Sequence, residues 1–260
     1  MSVEFVSASR VADVAACDAP LRLVDTFGRV ARDLRVSLTD RCNLRCSYCM
    51  PPEGLDWLPT EDTLTDDEVC RLVRIGVEML GIRQVRFTGG EPLLRRGLEG
   101  IIAECAKLRT DEGEALDLAL TTNALGLAKR AQGLKDAGLN RVNISLDSLD
   151  PEHFAAITRR DRLGDVLEGI EAAARAGLSP IKVNALVLRG MNEADLPDLV
   201  DYCLDRGIEL RVIEQMPIGP ADTWDRQNIL TADEILHIMS TRHTLTPAPR
   251  EDPHSPAGRW

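Results

Sequence analysis

This chain of 260 residues has no apolar run long enough to span a bilayer, and its first twenty residues lack a basic start followed by an apolar stretch. Those absences argue against a membrane protein and against export, so the expected compartment is the cytoplasm. A basic excess is missing too: 31 Lys and Arg stand against 42 Asp and Glu, a formal net charge of -11. Nucleic acid and anionic membranes are bound through basic patches. Neither is expected as a partner, and any anionic ligand must meet cations gathered locally. No fixed-period repeat or low-complexity tract occurs. The seven cysteines form no paired framework, which fits reducing surroundings. What is present, 44% hydrophobic and 28% charged residues, is ordinary usage for a globular chain with one large core.

Three of those cysteines, Cys42, Cys46 and Cys49, share one short loop with the spacing C-x3-C-x2-C. Thiolates are the soft ligands that hold iron-sulfur clusters. Three of them leave a four-iron cube one ligand short, and an iron with an open position can bind a small molecule. Structural zinc usually takes four ligands, and no His or fourth Cys lies near this loop to complete such a set. Cys17, Cys70, Cys105 and Cys203 are scattered singly and read as small core residues.

Apolar, β-branched segments at 34–39, 85–88, 118–123, 142–147, 181–188 and 210–216 read as strands, separated by helical patterns. Thr65 and Glu68 predict a capping box, followed by apolar positions at helical spacing up to Gly81. Further helices are expected over 93–108, 125–137, 163–176 and 196–206. Strands alternating with helices mean a parallel sheet. In every strand one face is polar: Arg35 and Ser37; Arg86 and Thr88; Thr121 and Asn123; Asn143, Ser145 and Asp147; Lys182 and Asn184; Arg211. An open doubly wound sheet would be apolar on both faces, and a filled eight-strand barrel would pack its interior with Val, Ile and Leu. The expected fold is therefore α/β, an incomplete parallel (β/α)6 barrel around a wet interior. Residues 1–25 are expected to form an N-terminal arm, 26–245 the barrel, and the Pro-rich 246–260 a loop.

In barrels chemistry sits after the C-terminal ends of strands, where the cysteine loop falls. The second strand ends in Thr88-Gly89-Gly90-Glu91-Pro92. Paired glycines there are either a tight turn or a place where backbone approaches a ligand closely. Arg35, Arg86, Lys182 and Arg211 all fall on the polar faces. Four cations in one cavity require an anion, a phosphate ligand or internal carboxylates such as Asp147.

The run C-x3-C-x-aromatic-C with Gly-Gly-Glu-Pro resembles the radical S-adenosylmethionine (SAM) enzymes. The stretches Arg32-Asp33-Leu34-Arg35, Thr39-Asp40-Arg41-Cys42-Asn43, Cys49-Met50-Pro51, Arg86-Phe87-Thr88-Gly89-Gly90-Glu91-Pro92-Leu93, Leu120-Thr121-Thr122-Asn123 and Asn143-Ile144-Ser145-Leu146-Asp147 are similar to the GTP 3',8-cyclase family of molybdenum cofactor biosynthesis. The match runs from about Thr26 to Pro220. The resemblance implies that Cys42, Cys46 and Cys49 ligate a 4Fe-4S cluster and that Tyr48, Gly90, Ser145 and Met216 contact SAM. It also implies that Arg35, Arg86, Thr121 and Lys182 contact GTP; Arg211 is added from strand alternation alone. The expected partners are GTP and a cellular electron donor, and a homodimer is compatible with the sequence. Gly90→Val is expected to block SAM cleavage without removing the cluster. The family has a second, C-terminal cluster, and no cysteine follows Cys203 here. The expectation is weak binding of GTP with inefficient turnover; a radical SAM enzyme for another substrate and a non-catalytic fragment stand as alternatives.

Overall fold

A computed structural model of the chain describes residues 21–217, 229–249 and 257–260. Six strands, β1 (Asp33–Ser37), β2 (Gln84–Thr88), β3 (Asp117–Thr122), β4 (Arg141–Ser145), β5 (Ile181–Leu186) and β6 (Glu209–Ile213), form one sheet in the order β1-β2-β3-β4-β5-β6, every pair parallel. The order never reverses. Right-handed crossovers that always step in the same direction leave their helices on one face, so the other face is free to curl inward. The expected incomplete barrel is what this topology builds.

The outer layer contains α1 (Asp66–Leu80), α2 (Leu98–Cys105), α3 (Leu127–Asp136), α4 (Pro151–Thr158), α5 (Leu163–Arg175), α6 (Leu196–Asp205) and α7 (Ala232–Ser240). Thr65 caps α1 through the expected box with Glu68, and Gly81 closes it at φ 70°. The core lies between these helices and the apolar strand face, with Val85, Phe87, Leu118, Leu120, Val142, Ile144 and Val183 all at 0% exposure. Each such side chain contributes about 1.5–3 kcal/mol by leaving water. Edge strands β1 and β6 are only half covered.

Two expectations are corrected. The helix read over 93–108 is broken into a 3-10 turn at Pro92–Leu94 and α2, because Arg95 is extended and its guanidinium is held by Asp66 and the Leu38 and Leu64 carbonyls. Helices α4 and α7 were not foreseen, although Asp150 caps α4 ahead of Pro151 and Thr231 caps α7 with Glu234. Most of the N-terminal arm (1–20, with Cys17), residues 218–228 and the Pro-rich stretch 250–256 lie outside the described residues.

Strand register sorts the polar face into levels. Arg35 lies beside Arg86, then Ala119, then Arg141. Thr121 lies beside Asn143, then Lys182, then Glu209, while Asn184 lies beside Arg211. The thiol loop leaves β1 at its C-terminal end, so thiols and most of the cations occupy opposite ends of one interior.

Candidate functional site

The cysteine loop is held by backbone on both flanks. Gly90 N–H donates to the Thr39 carbonyl (2.6 Å) and Glu91 N–H to that of Arg41 (2.7 Å), extending the β1–β2 pairing into the loop. On the far side Arg45 and Ser47 N–H groups donate to the Thr158 and Ile157 carbonyls at the end of α4. Arg159, in the left-handed region at φ 56°, places one guanidinium nitrogen 2.9 Å from both the Arg45 and the Met50 carbonyls. It staples the loop shut. A turn carried by Cys49 and Met50 N–H donating to the Cys46 carbonyl brings Cys49 back beside Cys46.

Cys42 and Cys46 are half-buried and Cys49 is exposed. Burial pushes all three thiols up, Cys46 to about 12, with Asp147 and the neighbouring sulfurs adding to it. Thiols that repel one another as thiolates suit a site that cationic iron would neutralise. Asn123 supplies a further feature of such sites, its side-chain N–H lying 3.8 Å from Cys42 Sγ and 2.7 Å from Asn43 Oδ1. Three thiols on one short loop are soft donors, and a four-iron cube asks for one thiolate at each of three separate irons. By its chemistry the donor set fits the cluster.

The glycine pair has a second role that the sequence reading missed. A Cβ on Gly89 would lie 2.3 Å from the Thr39 carbonyl oxygen, and one on Gly90 would lie 2.4 Å from those of both Asp40 and Arg41. Gly90 is exposed at the mouth, yet the side on which it can carry no side chain is the side that touches the cysteine loop. The expectation that Gly90→Val spares the cluster is therefore revised. Next to it Glu91 is 1% exposed and accepts from Leu93 N–H, Thr122 Oγ and Asn123 N–H. Burial raises its pKa against these bonds. It ties the second loop to the end of β3, close to Asn123.

Tyr48 donates to Asp147 Oδ2 at 2.8 Å, and Leu186 N–H donates to the other oxygen. Burial lifts Asp147 to about 6. Asp147, offered above as a counter-ion for the interior cations, is thus engaged elsewhere. Ser145 is half-buried at the end of β4, and Met216 is exposed just after β6. Gly90, Tyr48, Ser145 and Met216 all fall at the C-terminal end of the sheet, with the thiols.

At the other end lies a cavity of about 450 Å3 whose lining includes Arg86, Asp117, Arg141, Lys182 and Arg211. Arg86 Nε is buried without a hydrogen-bond partner. Burial, then the charges of Arg141, Arg35 and Arg211, lower its pKa. Neither Arg35 nor Arg86 forms an ion pair among the described residues. Lys182 and Arg211 do, both with Glu209 at 2.8 Å. Arg141, absent from the sequence-based set, pairs with Asp117 at 3.0 Å. Thr121, half-buried, adjoins Asn143, whose buried Oδ1 also lacks a partner. A larger concavity of about 570 Å3 along residues 22–31 carries no thiol and no buried polar group.

The model of the radical SAM superfamily matches residues 36–203. The chain belongs to the radical SAM superfamily. The cofactors that go with this superfamily are a 4Fe-4S cluster and SAM. The chain is 62% identical over 238 residues to a GTP 3',8-cyclase of Corynebacterium glutamicum, covering 92% of this chain and 63% of that protein. It is 54% identical over 249 residues to a GTP 3',8-cyclase of Mycolicibacterium smegmatis, covering 96% and 67%. The chain thus spans somewhat under two thirds of the first of these relatives. Among solved structures, Streptococcus suis SuiB bound to its precursor peptide has a TM-score of 0.57 at 19% identity, over 77% of this chain and 40% of that one. Methylornithine synthase has 0.56 at 13%, over 80% and 62%. At such identities they show the fold alone. No described helix is long and apolar enough to cross a membrane.

Proposed function

We propose that this chain carries the catalytic barrel of a GTP 3',8-cyclase, binding a 4Fe-4S cluster and SAM at its thiol mouth and GTP through the cations of its interior, in molybdenum cofactor biosynthesis. One observation carries the reading. Arg86 Nε is buried and unpartnered in a cavity shared with Arg141, Lys182 and Arg211, and a buried cationic donor without a partner is expensive unless a ligand satisfies it. A chain of net charge -11 that nevertheless gathers these cations is built for an anion, and the relatives at 54–62% identity are GTP cyclases.

When bound, cluster and SAM would supply the radical chemistry by which C3' of GTP loses hydrogen and the ribose is joined to C8. The chain's own residues bind and orient. Cys42, Cys46 and Cys49 would hold three irons, with Asn123 donating toward one sulfur. Tyr48, Gly90, Ser145 and Met216 would border SAM. Arg35, Arg86 and Lys182 would take the phosphates, Arg offering a planar fork and Lys a point charge, with Thr121 beside the nucleoside. Arg211 joins them from β6. A five-residue strand, roughly 16 Å long, separates the two ends, a span that a nucleoside triphosphate bridges with its base and ribose toward SAM. We place the protein in the cytoplasm and infer a cellular electron donor as partner.

The test is anaerobic reconstitution with iron and sulfide, then reduction with SAM present, with and without GTP, following 5'-deoxyadenosine and cyclised guanosine product. GTP binding should weaken with salt and fall at least tenfold in Arg86→Ala. Unchanged GTP affinity in that variant would remove the basis of the reading.

A further inference from the structure

Two of the interior cations already have a partner, and it is the same carboxylate. Lys182 Nζ lies 2.8 Å from Glu209 Oε2, and Arg211 Nε lies 2.8 Å from Glu209 Oε1. Register enforces this: Lys182 on β5 sits beside Glu209 on β6, and Arg211 follows two residues later on the same face. The second pair in the cavity is of similar exposure: the Arg141 and Asp117 side chains are 11% and 38% exposed, against 15% and 39% for Lys182 and Glu209. What sets Glu209 apart is that it bridges two cations on two strands, whereas Asp117 divides itself between Arg141 and the amide of Gln84. Its partly exposed carboxylate can swing into solvent once a ligand covers Lys182.

A carboxylate gripping a lysine and an arginine is a one-charge stand-in for a phosphate. A phosphate offers the same two cations more charge and more acceptor oxygens. Arg211 is engaged only through Nε, and the rest of its fork is available to an incoming oxyanion. Once a polyanion has taken both cations, Glu209 faces like charge and must leave. We propose that Glu209 is the resident counter-ion of this cavity: it holds Lys182 and Arg211 while no ligand is bound, is displaced by the ligand's phosphates, and thereby lowers the affinity of the site for anions.

This inference rests on reading the cavity as a phosphate site, so the probe is inorganic triphosphate, titrated calorimetrically into anaerobically reconstituted protein, with GTP in parallel. Two partly exposed ion pairs of ordinary strength are given up on binding, so Glu209→Gln should bind triphosphate about tenfold more tightly than the natural protein. Its affinity should also fall more steeply with salt. Glu209→Asp keeps the charge and should stay within about threefold of the natural protein, which separates charge from misfolding. Measurable binding only in Glu209→Gln also supports the proposal. Equal or weaker binding in Glu209→Gln overturns it and makes Glu209 a positioning residue for Lys182 and Arg211. Binding by none of the three proteins overturns both it and the phosphate reading. If the triphosphate responds as stated but GTP binds no better than triphosphate, Glu209 keeps its role and the nucleotide assignment fails.

Discussion

Gly90→Val should strip the cluster from an otherwise folded protein. The new Cβ would stand 2.4 Å from two carbonyl oxygens, Asp40 and Arg41, and 2.7 Å from the Arg41 carbonyl carbon. Reaching ordinary contact requires a displacement of roughly 1 Å, and the obstacles are backbone, which cannot rotate away. The same segments carry the Gly90 N–H to Thr39 and Glu91 N–H to Arg41 bonds. Overpacking contributes about 1–3 kcal/mol and the two stretched bonds about 1 kcal/mol each, together about 3–5 kcal/mol. That is a large part of a domain's stability of about 5–15 kcal/mol, but the strain has a local outlet because Arg41 directly precedes Cys42. The loop moves and the thiols lose their register. Iron and sulfide content after anaerobic reconstitution, alongside thermal unfolding, reads the effect; Gly90→Ala should show it too, since the clash is at Cβ. The control is Gly100→Ala in α2, where a Cβ meets nothing within 4 Å and replacing a helical glycine should stabilise by about 0.5–1 kcal/mol. A Gly90→Val protein with full iron would refute the reasoning and leave the glycine's role to the ligand alone.

Replacing Cys42, Cys46 and Cys49 together with Ala should abolish iron binding, whereas Cys70→Ala should not; equal iron in the two proteins would dismiss the loop as the ligand set. Asn123→Ala removes the N–H donor lying 3.8 Å from Cys42 Sγ, and since hydrogen bonds to sulfur favour the reduced cluster, potentiometry should find it harder to reduce. A rise in potential would contradict that. Glu234, held by the Thr231 N–H and hydroxyl and by Arg189, titrates at about 2 instead of 4.5. A depressed carboxyl stabilises the fold above its unfolded value, and that contribution is lost as pH falls from 4.5 toward 2. The natural protein should therefore lose the Thr231–Glu234 cap through this window, read as chemical-shift changes at these two residues in NMR, while Glu234→Gln should lack the transition.

All six strands were legible in the sequence because apolar and polar residues alternate in each, and their order followed from the helical connections. Strand bounds shifted by at most three residues, with the end of β2 and the start of β5 unmoved. Failure came where a known signal went unread: Thr231 and Glu234 form the same capping box as Thr65 and Glu68, and Asp150 before Pro151 is a helix start. The break after Pro92 is different in kind. It depends on Arg95 reaching Asp66 and two distant carbonyls, partners that no local pattern supplies.

The site divides along the same line. Cysteine spacing and the Gly-Gly turn name the ends of two neighbouring strands, but only their packing reveals that one motif requires the other, since Gly90 is pressed against the residues that lead into Cys42. Alternation identified the interior cations for the same reason it identified the strands. Asp117, Arg141 and Glu209 open β3, β4 and β6, each one residue before the strand as read from the sequence, so alternation within those bounds never reached them. Without those residues the interior looked like four charges in need of a ligand, whereas among the described residues Arg35 and Arg86 form no ion pair and Lys182, Arg211 and Arg141 are held on the chain's own acids. The cations therefore differ in what a ligand must displace to reach them. Arg35 and Arg86 are available at once, Lys182 and Arg211 only in exchange for Glu209, and Arg141 only by breaking a pair in which Asp117 is also held by Gln84. A polyanion should engage them in that order, with Arg86, buried and unpartnered, as the anchor.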